Sequence, residues 1–199
     1  MLDHVKRHGR LARCVLIAAI AMGATPATAS AAECPDQPTS MVFAPWGDTS
    51  EYFLAPGGDF EGGSTSWTGG SLMPGNDPFY LAGGGDWQSL RIRAGATVAS
   101  PAFCADVRHP DFRFVARPLN PYVPGALDVY VRFVDKTGVT QTVKMWTMAG
   151  MQYWTASPRV RLMRDLPLPN SGQTTAQVLF KAVGGDWGID DVFIDPFRR

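Results

Sequence analysis

Apolar and polar residues alternate along several stretches of the chain, whereas amphipathic helical periodicity is nearly absent beyond residue 32. In "ALDVYVRFVD" the apolar residues fall on one face of an extended strand, and Asp128, Tyr130 and Arg132 fall on the other. "FRFVAR" and "SLRIRA" show the same period of two, with arginines on the polar face. This pattern predicts antiparallel strands that each bury one face.

Glycine, proline and asparagine separate these stretches at strand-sized intervals. "VDKTGV" predicts a hairpin in which Gly138 takes a positive φ. The spacing of the turns predicts roughly nine to eleven short strands, as in sandwich folds. The predicted fold class is therefore all-β, a jelly-roll β-sandwich of two antiparallel sheets.

The first residues have the pattern of a secretory signal peptide. A basic region with Lys6, Arg7, Arg10 and Arg13 precedes the short apolar run "CVLIAAIAM" and small-residue cleavage sites. That run is too short to span a bilayer, which needs roughly 20 apolar residues. We therefore expect a signal peptide over residues 1–32, one β-sandwich domain over residues 33–199, a secreted or extracellular location, and no stable membrane insertion after cleavage.

Export would leave Cys34 and Cys104 in an oxidising compartment, which predicts a disulfide between them. A reactive or metal-binding thiol pair is the alternative, and it is weaker because no histidine or further cysteine lies near either residue in the sequence. The chain has 18 basic and 18 acidic residues, and four of the basic ones lie in the leader. The mildly acidic remainder has no basic stripe, so nucleic-acid binding is not expected.

Few residues outside the leader could support catalysis. His109, in "RHPDF", is the only histidine there and is expected in a surface turn, and no Gly-x-Ser-x-Gly motif supplies a nucleophile. Paired carboxylates could still hydrolyse a glycosidic bond. The candidates all lie in turn-like contexts, where acidic residues are ordinary: Asp48, Glu51, Asp59, Glu61, Asp77, Asp86 and Asp186. We predict no enzymatic activity, with a carboxylate-dependent glycoside hydrolase as an alternative.

Two motifs stand near the ends of the predicted domain: "PGGDFEGGSTSW" at residues 56–67 and "WGIDDVFIDP" at residues 187–196. Together they resemble the carbohydrate-binding modules of the galactose-binding-like jelly-roll class. They are also similar to secreted bacterial proteins that share this start and end. Gly57 stands where such modules often carry asparagine, and the middle of the chain has no recognisable signature. The resemblance implies that the first and last strands meet.

The resemblance also implies a structural Ca²⁺ held where those strands meet. The carboxylates that correspond to its ligands are Glu61 and Asp190, with Asp59 and Asp191 as second choices. Ca²⁺ takes six to eight oxygen ligands, and glycine-rich turns expose backbone carbonyls to such an ion.

Modules of this class bind glycans by stacking aromatic rings on sugar faces. Trp67 and Trp187 are expected in the core. The residues predicted to contact a ligand are Tyr130, Trp87, Trp146, Trp154 and Arg132. The predicted function is a secreted, non-catalytic binding module that recognises carbohydrate or another cell-surface ligand. The other alternative is a structural or adhesion protein of the cell envelope, which would expose an apolar patch.

Overall fold

The computed structural model describes residues 34–63, 65–163 and 166–196. The predicted signal peptide lies outside these residues. The described part contains one short 3₁₀ helix, Ala44–Trp46, and twelve strands. The strands are β1 (Phe53–Leu54), β2 (Ser71–Pro74), β3 (Gln88–Ile92), β4 (Thr97–Ala99), β5 (Phe103–Asp106), β6 (Asp111–Pro118), β7 (Ala126–Val134), β8 (Thr140–Ala149), β9 (Thr155–Ala156), β10 (Val160–Arg161), β11 (Gln173–Val183) and β12 (Trp187–Ile194).

The strands form two antiparallel sheets, which confirms the predicted β-sandwich. The seven-stranded sheet has the order β10-β6-β12-β3-β2, with β1 added to β12 and β9 added to β6. The five-stranded sheet has the order β4-β11-β7-β8, with β5 added to β11. The predicted β7–β8 hairpin is present, and Gly138 has a φ of 80°. No helix in the described part of the chain is long and apolar enough to cross a membrane.

The main core lies between the two sheets and follows the alternation of the sequence. On β7 the buried side chains are Leu127, Val129, Val131 and Phe133, as the pattern predicts. Aromatic rings fill the centre of this core, including Phe114 and Phe180, whose ring centroids are 4.7 Å apart. Trp67 and Trp187 both belong to the core, as expected from the sequence.

A second, smaller apolar cluster covers part of the outer face of the seven-stranded sheet. Phe43 and Tyr52, from the segment before β1, pack there against Phe193 of β12. The guanidinium of Arg113 lies 4.1 Å from the ring centroid of Phe43. The outward face of these strands is therefore buried locally.

A buried ionic network holds this outer layer to the sheet. The carboxylate of Asp48 accepts hydrogen bonds from Tyr52 Oη at 2.7 Å and from Arg113 Nη1 at 2.9 Å. Arg159 donates to the same carboxylate through Nε and Nη2. Asp48 and Arg113 are both buried. Burial opposes ionisation of Asp48, but the hydrogen bonds from Arg159 and Tyr52 outweigh it and hold the pKa of this carboxyl well below its usual range.

The two ends of the predicted domain meet in the seven-stranded sheet. Phe53 of β1 pairs with Ile194 of β12. The turn after β1 continues the contact, because Ala55 N donates to Val192 O and Val192 N donates to Gly58 O. A Cβ on Gly58 would lie 2.8 Å from Val192 O, so this approach requires glycine. The first "GGDF" motif is therefore packed directly against "DDV", as the resemblance implies.

The predicted disulfide is present and links Cys34 to Cys104, with an S–S distance of 2.01 Å. Cys104 lies on β5, at the five-stranded sheet. The bond joins residues 70 positions apart and fixes the start of the described chain to the sandwich.

Candidate functional site

Three buried carboxylates meet beside β12 on the seven-stranded sheet. Ligand oxygens of Asp77, Asp190 and Asp191 lie within 4.8 Å of one another, and each residue is only 1% exposed. Asp190 and Asp191 would point to opposite faces of a regular strand. β12 has a bulge at this point, since Asp190 pairs with Val115 whereas Phe193 pairs with Arg113. Asp191 is the extra residue and has a left-handed φ of 49°. The bulge lets two neighbouring carboxylates reach the same cluster.

The environment of this cluster favours a cation. Asp77 Oδ2 and Asp191 Oδ1 are buried and have no hydrogen-bond partner. Burial first, and then the charge of Asp77, raises the pKa of Asp190 to about 8. Burial and the shared contact with Asp77 also raise the pKa of Asp191. No lysine or arginine of the described residues pairs with the three groups. Unpaired buried charge is unfavourable, so the cluster requires protons or a metal ion.

The other predicted metal ligands lie at the margin of the cluster. Glu61 Oε1 accepts hydrogen bonds at 2.7 Å from the backbone N–H groups of Trp87 and Gln88. Glu61 and Asp59 act electrostatically on Asp86, whose pKa is raised mainly by burial and then by these two charges. Asp86 Oδ2 and Gln88 Oε1 are two more buried oxygens without a hydrogen-bond partner. The structure thus brings Asp190 and Asp191 together with Asp77. Glu61 instead accepts hydrogen bonds from the backbone N–H groups that follow Asp86.

A different surface lies on the outer face of the five-stranded sheet. Tyr130 of β7 points outward between Leu179 of β11 and Lys144 of β8, its cross-strand partners. Asp128 accepts a hydrogen bond from Thr147 and pairs with Lys144 Nζ at 2.7 Å. We call this surface the Tyr130 face. Its members, on three adjacent strands, are Asp128, Tyr130, Arg132, Thr142, Lys144, Thr147, Gln177 and Lys181. Leu179 lies on the same side of the sheet but is buried.

Arg132 is held in place on the Tyr130 face. Its Nη1 donates to Gln177 Oε1 at 3.3 Å, and its Nε lies 3.4 Å from Thr142 Oγ1. Gln177 is itself fixed, because its Nε2 donates to Ser100 O at 2.7 Å. A guanidinium has five N–H donors, so these contacts leave several for a ligand. The face therefore combines one aromatic ring with oriented planar polar groups.

The other three aromatic residues predicted to contact a ligand do not join Tyr130. A bulge in β8 pairs Lys144 with Tyr130 but Trp146 with Val129, which turns Trp146 inward against Phe114. Trp87, which is 58% exposed, ends the loop before β3 on the side of the seven-stranded sheet.

Trp154 also lies at the seven-stranded sheet. The guanidinium of Arg117 is 4.9 Å from the centroid of its ring. Gly188 of β12 lies beneath the same ring, since a Cβ there would be 3.3 Å from Trp154. The five predicted ligand contacts are therefore divided between both outer faces and the inner face of the sandwich.

His109 does not lie on the surface, contrary to the sequence-based expectation. It is buried, and its Nδ1 lies 3.0 Å from Asp106 Oδ1. Burial lowers the pKa of His109, although the Asp106 charge opposes that effect. Its ring is perpendicular to the ring of Phe53, with the centroids 5.8 Å apart, so the histidine is part of the packing between β1 and the chain after β5.

Comparison with known proteins returns carbohydrate-binding modules among solved structures. A family 61 module in complex with β-1,4-galactotriose is 17% identical, covering 71% of this chain and 96% of that chain, with a TM-score of 0.42. A family 22 xylan-binding domain is 16% identical, with coverages of 76% and 99% and a TM-score of 0.47. The C-terminal family 22 module of Clostridium thermocellum Xyn10B is 15% identical, with coverages of 72% and 93% and a TM-score of 0.44. No protein-family model and no curated protein matches the sequence.

Asp77 is the member of the acidic cluster that the sequence did not assign to a metal. It lies in "PGNDPF", in a long connection whose length and composition resemble an ordinary loop. Its only local signal is the Asn-Asp-Pro sequence, which also fits a turn. The sequence does not identify Lys144 and Gln177 as members of the Tyr130 face, because only the strand register places them near Tyr130.

Proposed function

We propose that the protein is a secreted, non-catalytic module that binds carbohydrate through the Tyr130 face. The observation that carries this proposal is the partly exposed ring of Tyr130, which lies beside the polar side chains of Arg132, Gln177 and Asp128, each held by hydrogen bonds. An aromatic ring offers an apolar surface to the C–H groups of a sugar. Arg132, Gln177 and Asp128 offer donors and acceptors for the surrounding hydroxyl groups. The Cys34–Cys104 disulfide supports an extracellular location.

The geometry of the carboxylates favours binding over hydrolysis. A glycoside hydrolase places two carboxyl groups on either side of an accessible glycosidic bond. Asp77, Asp190 and Asp191 are instead buried beneath the chain that precedes β3, where a polysaccharide has no access. The adhesion alternative requires an extended exposed apolar patch. The Tyr130 face is instead mostly polar, which favours a hydroxylated ligand.

Truncation of Tyr130 tests the proposed carbohydrate surface. Tyr130→Ala should weaken binding to soluble polysaccharides at least tenfold, which corresponds to about 1.4 kcal/mol, because the stacking ring is lost. Affinity electrophoresis in gels containing xylan, galactan or glucomannan would identify a ligand for the wild type, and calorimetry would then compare the variants.

Tyr122→Ala provides the matched control. Tyr122 is 93% exposed but lies outside the Tyr130 face, so its removal should leave the affinity unchanged. Equal weakening by both substitutions would contradict the assignment of this face. Failure of every polysaccharide to retard the wild type would contradict carbohydrate binding itself.

We further propose that Asp77, Asp190 and Asp191 hold a structural Ca²⁺. The fit rests on the two unpartnered buried oxygens within the cluster and on two more at Asp86 and Gln88. Oxygen ligands of this kind are those that Ca²⁺ prefers. The ion would neutralise the clustered charge, while Glu61 would organise the surrounding backbone. Asp59 remains a candidate calcium ligand at the margin of the site.

Calcium should stabilise the folded protein. At a free concentration of about one hundred times the dissociation constant, the gain is about 2.7 kcal/mol, which corresponds to a rise in Tm of roughly 5 to 10 °C for a domain of this size. Differential scanning calorimetry in CaCl₂ and in EGTA measures it. Asp77→Asn should reduce the shift, whereas Asp186→Asn, at a distant ion pair with Arg91, should retain it. An identical Tm in both buffers would exclude the ion.

A further inference from the structure

Carboxylate side chains bind the backbone of the connection between β2 and β3, residues 75–87, at several positions. We call it the 75–87 loop. Four acidic side chains accept hydrogen bonds from six backbone N–H groups of this loop and of the first residue of β3. The pairs are Asp190 with Asp77 N, Asp77 with Phe79 N, Asp191 with Leu81 N and Ala82 N, and Glu61 with Trp87 N and Gln88 N.

Apolar packing contributes little to the loop. Leu81 is its one side chain that packs against the second apolar cluster. The aromatic residues of the loop are largely exposed: Phe79 by 37%, Tyr80 by 52% and Trp87 by 58%. Phe79 also contacts the ring of Trp46 edge-on, at a centroid distance of 4.8 Å. Three consecutive glycines, 83–85, offer no side chains that could anchor the chain. The conformation of the loop therefore depends on its carboxylate anchors.

Those anchors include the three groups that repel one another. Asp190 and Asp191 belong to β12, which is paired with β6 on one edge and with β3 and β1 on the other. Asp77 belongs to the loop. When the three groups are ionised and no cation offsets their repulsion, the mobile partner is Asp77. Asp190 is paired in the sheet, and Asp191 is fixed by its neighbour Val192, whose N–H and C=O bond the turn after β1. Two buried oxygens without partners, Asp77 Oδ2 and Asp191 Oδ1, mark the place where the offsetting charge is needed.

We propose that cation binding at Asp77, Asp190 and Asp191 fixes the conformation of the 75–87 loop, so that its exposed aromatic residues, Phe79, Tyr80 and Trp87, are held in place only in the cation-loaded protein. The inference rests on the calcium site of the proposed function and adds a consequence for this loop. The ion joins the loop to β12, and its loss releases Asp77 together with the backbone that Asp190 and Asp191 hold. The Tyr130 face lies on the other sheet and does not depend on this loop.

Limited proteolysis of the full folded chain tests the proposal. Chymotrypsin cleaves after exposed aromatic residues, and mass spectrometry identifies the fragments. In EGTA at 25 °C, cleavage after Phe79 and Tyr80 should be at least tenfold faster than in CaCl₂. Cleavage at Tyr122 and Tyr153, exposed residues outside the loop, should proceed at the same rate in both buffers and thus serves as an internal reference.

Two variants separate a local effect from general destabilisation. Asp77→Asn should abolish the difference in loop cleavage between the two buffers, because the loop then lacks its charged ligand for the ion. Asp186→Asn removes a carboxylate that accepts from Ala94 N at the other end of β3. It should retain the full calcium effect. Circular dichroism confirms that each variant is folded. If Asp77→Asn does not fold, the cleavage rates of the wild-type loop in EGTA and in CaCl₂ still test the proposal.

The outcomes distinguish this inference from the proposed function. If calcium raises Tm but leaves loop cleavage unchanged, the ion stabilises the sandwich and the inference is wrong. If calorimetry detects no calcium binding at all, both the ion site and the inference are wrong. Polysaccharide binding that is equal in CaCl₂ and EGTA, together with calcium-dependent cleavage, supports both the Tyr130 face and the loop.

Discussion

Replacing both Cys34 and Cys104 with alanine should lower the free energy of unfolding by about 4 kcal/mol. The disulfide closes a loop with a sequence separation of 70, and its removal restores the chain entropy of that loop to the unfolded state. The bond also fixes the segment that leads to Phe43 and Tyr52, which cover the outer face of the seven-stranded sheet. Loss of the bond should therefore loosen this layer first.

Urea denaturation followed by tryptophan fluorescence measures the change. Wild-type protein with dithiothreitol should approach the stability of the double variant, because Cys104 is solvent-exposed and the bond can be reduced. The double variant itself should be insensitive to dithiothreitol. Disulfides of this kind typically contribute 2–4 kcal/mol. If the free energy of unfolding falls by less than about 1 kcal/mol, the segment with Phe43 and Tyr52 stays packed on the sheet without the bond.

Arg113→Ala should have an effect of similar size, about 3–5 kcal/mol, because it leaves the buried Asp48 carboxylate without its buried cationic partner. Three contacts are lost together. Arg113 Nη1 donates to Asp48 at 2.9 Å, Nε donates to Ser157 O at 2.8 Å, and the guanidinium covers the Phe43 ring. Arg159 also binds Asp48 but is about half exposed, so it compensates only partly.

The matched control for this prediction is Arg93→Ala. Arg93 is exposed, and its loss should change stability by no more than about 0.5 kcal/mol. The double variant Asp48→Asn, Arg113→Met should recover part of the loss, since it removes both buried charges. Equal stability of Arg113→Ala and Arg93→Ala would contradict the assigned role of the network.

Acid titration provides a second signature of the same network. Asp48 has a lowered pKa in the folded protein, so its contribution is complete above the ordinary carboxyl pKa of 3.8 and is lost as pH falls below it. The free energy of unfolding of the wild type should therefore decrease as pH drops below about 4. The decrease should be smaller in Arg113→Ala, because the native pKa of Asp48 is then closer to its unfolded value.

The sequence predicts the elements that depend on local pattern. The alternation of β7 places Leu127, Val129, Val131 and Phe133 in the core and Tyr130 outward, and the structure confirms each of them. The disulfide and the meeting of both end motifs are also confirmed. These features depend on side-chain period, on residue type and on the motifs that carry the resemblance, all of which are visible in one chain.

The features that the sequence does not reveal depend on contacts between distant segments. The arginines of "FRFVAR" lie on the polar face, yet Arg113 is buried because a separate segment covers that face. A single bulge in β8 turns Trp146 away from Tyr130, and no residue type marks its position. Asp77 joins the acidic cluster only because the 75–87 loop folds back onto β12. Register and loop closure determine these positions, and neither has a local signature.

The bulge of β12 has a consequence for how such a cluster could arise. Asp191 is the one residue that interrupts the alternation of the strand: without it, Ile189, Val192 and Ile194 would still face the core and Asp190 and Phe193 would still face outward. A single inserted codon could thus supply a second adjacent carboxylate without disturbing any packed side chain. The second carboxylate is therefore independent of the alternation that packs the sandwich.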